Sequence, residues 1–135
     1  MVEFKVGSYG YIAQRDIEVA MDNTTKHPSA AGVYAQQAVE TILKQYLKEV
    51  KSCTDEALLH THSLKKLIRA AGLTSLVPDM GKIWDLSDAY FNTRYPGEDF
   101  WELTSEIALD LCTVAATIVS AVELEIEKFR TDAAN

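Results

Sequence analysis

Cysteine, histidine and proline are scarce in this chain of 135 residues. The two cysteines, Cys53 and Cys112, belong to no Cys-x-x-Cys motif and to no Cys/His cluster, so we expect no metal site. No uncharged run reaches the 18 residues of a membrane span, and the N-terminus lacks the charged-then-apolar pattern of a signal sequence. We therefore expect a cytoplasmic protein that needs neither membrane nor cofactor.

Positive charge is also in deficit. Thirteen Lys and Arg residues face twenty Asp and Glu residues, which gives a net charge of −7. Such a balance argues against broad, sequence-blind adhesion to nucleic acid or anionic membranes, although a small basic site remains compatible with it. The 47% of apolar residues is ordinary for a globular protein, and the length predicts one domain over residues 1–135.

Alternating strand patterns are missing, and apolar residues recur at spacings of three and four. Pro28, Pro78, Pro96 and Gly72 divide the chain into segments of this kind. Gly72 suits the position directly after a helix that ends at residue 71, because glycine readily adopts the left-handed conformation that ends many helices. We predict an all-α fold with helices over residues 9–23, 29–51, 62–71, 78–95 and 99–130, the last one starting at Asp99 as N-cap.

The last of these helices is too long for a compact domain of this size. Residues 99–130 would extend ~48 Å at 1.5 Å per residue. A compact chain of this length is only roughly 37 Å across. Because the central part of the helix is also uncharged, we predict that it packs against a second copy in a homodimer.

Arg94 is the most informative single residue. On a helical projection it shares the apolar face of Met80, Ile83 and Tyr90, so we expect it at the end of a buried face. A guanidinium there requires a carboxylate, a phosphate or free carbonyl groups. Two interpretations stay open: Arg94 pairs with an acidic residue just after it (Glu98, Asp99 or Glu102), or it contacts a ligand anion at a cleft.

Three polar residues of the second predicted helix, Gln37, Glu40 and Lys44, lie on one face. This face is either solvated or forms the polar wall of a groove opposite Arg94. Two histidines, His60 and His62, form a His-x-His pair whose rings would point apart on a helix, which argues against a metal site from this pair alone. His62 either begins the third helix, capping or orienting it, or serves as an acid or base.

Three segments in order resemble the HEPN family, small all-α domains named for higher eukaryotes and prokaryotes nucleotide-binding. They are similar to its QQAxExxLK helix, to the H-x-L-x-x-L start of its next helix and to its RYP ending of the fourth helix. In this chain the segments are Ala35-Gln36-Gln37-Ala38-Val39-Glu40-Thr41-Ile42-Leu43-Lys44, His62-Ser63-Leu64-Lys65-Lys66-Leu67-Ile68 and Thr93-Arg94-Tyr95-Pro96.

The resemblance implies an up-and-down bundle of four to five helices, usually dimeric, and a nucleotidyltransferase partner in a toxin–antitoxin pair. Ribonuclease members of the family carry R-x4–6-H and cleave RNA without metal. Arg94 matches their arginine. The histidine would fall at residues 99 to 101, where this chain has Asp99, Phe100 and Trp101. This departure argues against ribonuclease activity.

We therefore predict a dimeric HEPN-like protein that binds a nucleotide or RNA phosphate, acts with a nucleotidyltransferase partner, or does both. The candidate ligand-binding residues are Arg94, Tyr95, Gln37, Glu40 and Lys44. Two alternatives remain: a divergent metal-independent ribonuclease that uses Arg94 and His62, and a purely structural dimerisation module.

Overall fold

A computed structural model describes residues 2–135, and the regular structure of these residues is entirely helical. This confirms the all-α prediction. The helices are α1 (Tyr9–Asp22), α2 (Pro28–Glu49), α3 (Glu56–Leu59), α4 (Leu64–Ala71), α5 (Met80–Asn92) and α6 (Ser105–Ala134), with a 3₁₀ turn at Thr74–Leu76. The one-turn helix α3 was not predicted from the sequence.

Local side-chain hydrogen bonds fix where several helices begin and end. Ser8, Ser63 and Thr104 each accept a hydrogen bond from a first-turn backbone N–H of α1, α4 and α6. Helix α4 ends at Gly72, whose φ of 72° lies in the left-handed region that favours glycine. The sequence-based assignment of Gly72 to this position is confirmed.

Helix α2 is the centre of the bundle, because it packs against α1, α4, α5 and α6. Its contacts with α6 join Ala31 to Cys112 and Glu49 to Arg130, both with an offset of 81 residues, so these two helices run parallel. The apolar residues of α2 from Ala35 to Leu47 are buried. Since neighbours surround the helix, polar residues of α2 also enter the interior.

The segment between α5 and α6 departs from the prediction. Helix α5 ends at Asn92, and α6 starts after the N-cap Thr104, so the predicted N-cap at Asp99 is wrong. Residues 93–104 form a loop instead. Its end is held on the start of α2, because the Leu103 N–H donates to Ser29 Oγ at 3.0 Å.

Among residues 2–135, α6 alone is long and apolar enough to cross a membrane by length and composition. Its mean hydropathy is 1.9 over 18 residues. A helix inside a bundle meets the same criterion, and 39% of this window is buried. One face of α6, including Cys112, Ile118 and Ile126, belongs to the core with α2. At 30 residues, α6 is about 45 Å long.

Candidate anion-binding site around Arg94

Arg94 lies outside any helix and is exposed, so the prediction that it sits on a buried helical face is wrong. The physical reason is the early end of α5. Thr93, the C-cap, donates its hydroxyl hydrogen bond back to the Ala89 carbonyl at 2.6 Å. The backbone then leaves the helical path, and the projection that placed Arg94 beside Ile83 no longer applies.

Two tyrosine rings hold the Arg94 guanidinium. Its Cζ lies 4.1 Å from the ring centroid of Tyr90 and 5.3 Å from that of Tyr95. Arg94 Nη2 also donates to the Tyr95 hydroxyl at 3.3 Å. Tyr90 is only 6% exposed and is therefore a fixed platform, whereas Tyr95 is 58% exposed. A guanidinium stacked in this way keeps its in-plane N–H donors available to an anion.

Within residues 2–135, Arg94 forms no ion pair with a carboxylate. Of the two interpretations left open by the sequence, the pairing of Arg94 with Glu98, Asp99 or Glu102 is therefore absent from these residues. Glu102 instead accepts a hydrogen bond from the Ser29 hydroxyl at 3.2 Å. Arg94 therefore does not serve as a clamp between charged groups of its own domain.

A hollow of about 310 Å³ opens beside Arg94. Its walls include Ser29 and Ala30, which lie in the first turn of α2, together with Val33 and Tyr34 of the following turn. First-turn N–H groups have no partner within their helix and carry the positive end of the helix dipole. The lining of the hollow is mostly apolar, and Arg94 is the charged residue in it, so the guanidinium is the group there that attracts an anion.

The His62 ring also lies against Tyr90. Its ring centroid lies 5.3 Å from that of Tyr90. His62 and Arg94 therefore both contact Tyr90. The His62 ring centroid and Arg94 Cζ lie less than about 10 Å apart, because they are 5.3 Å and 4.1 Å from the same ring centroid. The structure thus places together the two residues that the sequence named for a ribonuclease.

His62 is oriented by a buried carboxylate. Its Nδ1 lies 3.0 Å from Glu40 Oε1, and the His62 side chain is 51% exposed whereas that of Glu40 is 9% exposed. A carboxylate accepts hydrogen bonds, so the Nδ1–H faces Glu40, and Nε2 is the ring nitrogen that points away from this carboxylate. His62 does not cap α4, because Ser63 takes that role.

Glu40 is the centre of a buried polar cluster. Lys44 Nζ donates to Glu40 Oε2 at 2.8 Å, and Gln36 Nε2 donates to Glu40 Oε1 at 3.2 Å. Lys44 is only 4% exposed. The interpretation of this α2 face as a solvated surface is therefore wrong for Glu40 and Lys44, which lie in the interior because α1 and α4 cover them.

Gln36 completes this cluster and was not identified from the sequence as a site residue. Its Nε2 donates to both Glu40 and the His62 carbonyl, the second at 3.3 Å. Its Oε1 is buried without a hydrogen-bond partner. Flipping the amide would place that oxygen against two acceptors, so the neighbours fix its orientation.

Gln37 and Tyr90 show the limits of the predicted residue set. Gln37 is half-buried, and its backbone carbonyl accepts a hydrogen bond from the Thr41 hydroxyl. Within residues 2–135, no hydrogen bond joins the Gln37 side chain to the cluster around Glu40. Tyr90, in contrast, was assigned to the core face of its helix and instead connects Arg94 with His62. No sequence signal separates such a platform from an ordinary core tyrosine.

Residues 2–135 contain no group of three or more His, Cys, Asp or Glu side chains that could hold a metal ion. The chemistry around Arg94 is that of a fixed cation, a histidine held by a carboxylate and two tyrosines. These groups suit the binding of a phosphate, and the histidine suits proton transfer.

Comparison with known proteins gives one result. The family model described as HEPN domain matches residues 9–125. No curated protein and no solved structure matches the chain. The matched region starts with α1, includes the Arg94 loop and extends into α6. Because it covers most of the sequence and agrees with the helical bundle, the chain belongs to the HEPN domain family.

Proposed function

We propose that this HEPN protein binds the phosphate group of a nucleotide or of RNA at Arg94. The observation that carries the proposal is the guanidinium stacked on Tyr90, with no carboxylate partner in the described part of the chain. A cation that is positioned but unpaired favours an anion from outside the domain. The HEPN family is generally related to nucleotides and RNA, so phosphate is the anion we propose.

The charge distribution supports a local site. The whole chain carries −7, which opposes binding of polyanions over its general surface. At Arg94 this repulsion is offset locally by the guanidinium, which has no carboxylate partner within residues 2–135. We therefore expect binding of one phosphate group with a shallow dependence on salt, since few counterions are released.

Calorimetric titration with adenosine monophosphate tests this proposal. Replacing Arg94 by alanine should weaken binding roughly 10- to 100-fold, which corresponds to the loss of a charged hydrogen bond. Arg94→Lys should recover only part of the affinity, because an ammonium lacks the planar pair of donors. Arg69→Ala is the matched control, since Arg69 is also exposed and the variant changes the net charge equally. Equal affinity in the Arg94 and Arg69 variants would refute the proposal.

Metal-independent RNA cleavage is the second candidate function. It is favoured by one observation, the His62 ring held by buried Glu40 beside the platform that carries Arg94. His62 would take the proton from a ribose 2′-hydroxyl as that oxygen bonds to the adjacent phosphorus and the bond from phosphorus to the 5′-oxygen breaks. Water would protonate the departing 5′-oxygen, and Arg94 would stabilise the charge on the phosphate. The expected histidine at residues 99 to 101 is absent, so we expect single-stranded RNA to remain intact with a chelator present. Cleavage that both Arg94→Ala and His62→Ala abolish would replace the binding proposal with this one.

We also propose that the protein is a homodimer that packs through α6. The side of α6 away from the core exposes an uncharged row that includes Leu109, Thr113, Thr117, Ser120 and Leu124. Light scattering should give about twice the monomer mass of 15.0 kDa. Thr117→Arg should reduce the mass to that of one chain without unfolding it. A mass near 15.0 kDa for the unmodified protein would contradict the proposal.

The nucleotidyltransferase partner, the toxin–antitoxin role and the cytoplasmic location stay predictions. Co-purification of the chain with such an enzyme is the measurement that tests the first of them. Binding that survives Arg94→Ala would mean that the partner docks elsewhere.

A further inference from the structure

A second concavity adjoins His62 on the side of α5. It is a groove of about 460 Å³ between the segment that leads into α4 and the exposed face of α5. Small-molecule sites are typically about 300–1,000 Å³, so the groove has the size of a ligand pocket. It is lined by Thr61, His62, Ser63, Lys65, Met80, Ile83, Trp84, Ser87, Asp88 and Phe91.

Two large aromatic rings remain exposed in this groove. Trp84 is 58% exposed and Phe91 is 46% exposed, and they are separated by about two turns of α5. Lys65 Nζ lies 5.5 Å from the Trp84 ring centroid and, in residues 2–135, has no carboxylate partner. The groove therefore combines two exposed aromatic rings with a positive charge that has no carboxylate partner among residues 2–135.

We propose that this groove, centred on Trp84 and Phe91, is the subsite for the base of a nucleotide whose phosphate binds Arg94. The inference rests on the proposed function, because it takes Arg94 as the phosphate contact. His62 connects the two parts, since it lines the groove and also contacts the Tyr90 platform. One nucleotide thus reaches both, with its ribose beside His62.

The chemistry of the groove fits a base better than a protein surface. Bases stack on aromatic side chains and tolerate polar edges, which hydroxyls and one carboxylate supply here: Thr61, Ser63, Ser87 and Asp88. A second copy of the chain would need an interface of about 800 Å² per partner, more than the groove offers. The uncharged row on α6 is the larger surface for that purpose.

Tryptophan fluorescence gives a direct test, since the chain has two tryptophans, Trp84 and Trp101. In the variant Trp101→Phe, Trp84 is the single indole reporter. Adenosine monophosphate should quench its fluorescence through stacking, whereas ribose 5-phosphate should bind and leave the fluorescence unchanged. A short oligoadenylate should quench as well if the nucleotide comes from RNA.

Affinity measurements separate this inference from the proposed function. Trp84→Ala should weaken the binding of adenosine monophosphate about 5- to 150-fold, which is the effect of losing one base-stacking contact. The affinity for ribose 5-phosphate should stay unchanged. Trp84→Phe should retain most of the affinity, and Trp84→Leu should not, because leucine offers no π-face. Phe129→Ala is the control, since Phe129 is an aromatic residue of α6 with 39% exposure.

Each outcome has a distinct meaning. Equal affinity for adenosine monophosphate and ribose 5-phosphate, without quenching, overturns the base subsite and leaves phosphate binding at Arg94 intact. Absence of binding by either compound overturns both proposals. Conversion of a dimer to a monomer by Trp84→Ala, at unchanged nucleotide affinity, would show that the groove is an interface between copies.

Discussion

Replacing Glu40 with leucine removes the centre of the buried polar cluster. Glu40 accepts hydrogen bonds from Lys44 at 2.8 Å, His62 at 3.0 Å and Gln36 at 3.2 Å. Without Glu40, the ammonium of Lys44, which is 4% exposed, keeps within residues 2–135 a distant contact with the Tyr9 ring at 6.0 Å and no hydrogen bond. Stranding a buried charge in this way costs about 3–5 kcal/mol of unfolding free energy.

Replacing Lys44 instead of Glu40 is expected to lower the free energy of unfolding by less. In Lys44→Met, the Glu40 carboxylate keeps the hydrogen bonds from Gln36 and His62, so we expect a loss of about 1.5–3 kcal/mol. The double variant Glu40→Leu/Lys44→Met leaves no unpaired charge and should be more stable than Glu40→Leu alone. The two substitutions are therefore strongly non-additive.

Urea unfolding at neutral pH measures these free energies. Because domains have only about 5–15 kcal/mol of stability, Glu40→Gln provides a milder variant if Glu40→Leu does not fold. Glu125→Leu is the control: Glu125 pairs with Lys128 at the surface, and its loss should cost less than about 1 kcal/mol. Equal, additive losses below about 1 kcal/mol for Glu40 and Lys44 would refute a buried, coupled cluster.

Three further predictions concern ionisable groups elsewhere in the fold. The hydrogen bond from Arg130 lowers the pKa of Glu49. The stability that this ion pair provides is therefore present above pH 4.5 and is lost as the pH falls through the pKa of Glu49 in the folded state. Urea unfolding at several pH values should show a smaller loss of stability at acidic pH in Arg130→Ala than in wild type. Burial raises the pKa of Asp16, against an opposing effect of Arg15. The Asp16→Asn variant should therefore be more stable than wild type at pH 7, and this gain in stability should disappear near pH 3.8. Lower stability of the variant at both pH values would contradict this. Burial raises the pKa of Cys112 to about 11, so a thiol reagent at pH 8 should label only the half-buried Cys53 until urea unfolds the chain.

Most of the helical framework was predictable because each helix has its own apolar period. Helices α1 and α2 begin and end within about two residues of the predicted bounds, as expected for helix ends that fray. Gly72 was identified because a left-handed residue commonly ends a helix. The end of α5 was misplaced because Pro96 was taken as the stop, while Thr93 ends the helix earlier.

The candidate site was only partly predictable, because its contacts join distant parts of the chain. A projection of α2 shows that Glu40 and Lys44 share a face, but burial of that face depends on the helices that cover it. The His62 contact spans 22 residues, and no periodicity encodes it. The family resemblance drew attention to Arg94 and His62, whereas the contact of both residues with Tyr90 is visible only in the three-dimensional structure.

Unfolding of wild type and Arg94→Ala, each with and without adenosine monophosphate, tests the central claim most directly. Because Arg94 is exposed and unpaired within residues 2–135, the unliganded proteins should differ by less than about 1 kcal/mol. At a nucleotide concentration one hundred times the wild-type Kd, wild type should gain about 2.7 kcal/mol. A 10- to 100-fold weaker Kd in Arg94→Ala should reduce this gain to about 0.4–1.4 kcal/mol. A large loss of stability in unliganded Arg94→Ala, together with no stabilisation of wild type by the nucleotide, would contradict the account and make Arg94 a structural residue.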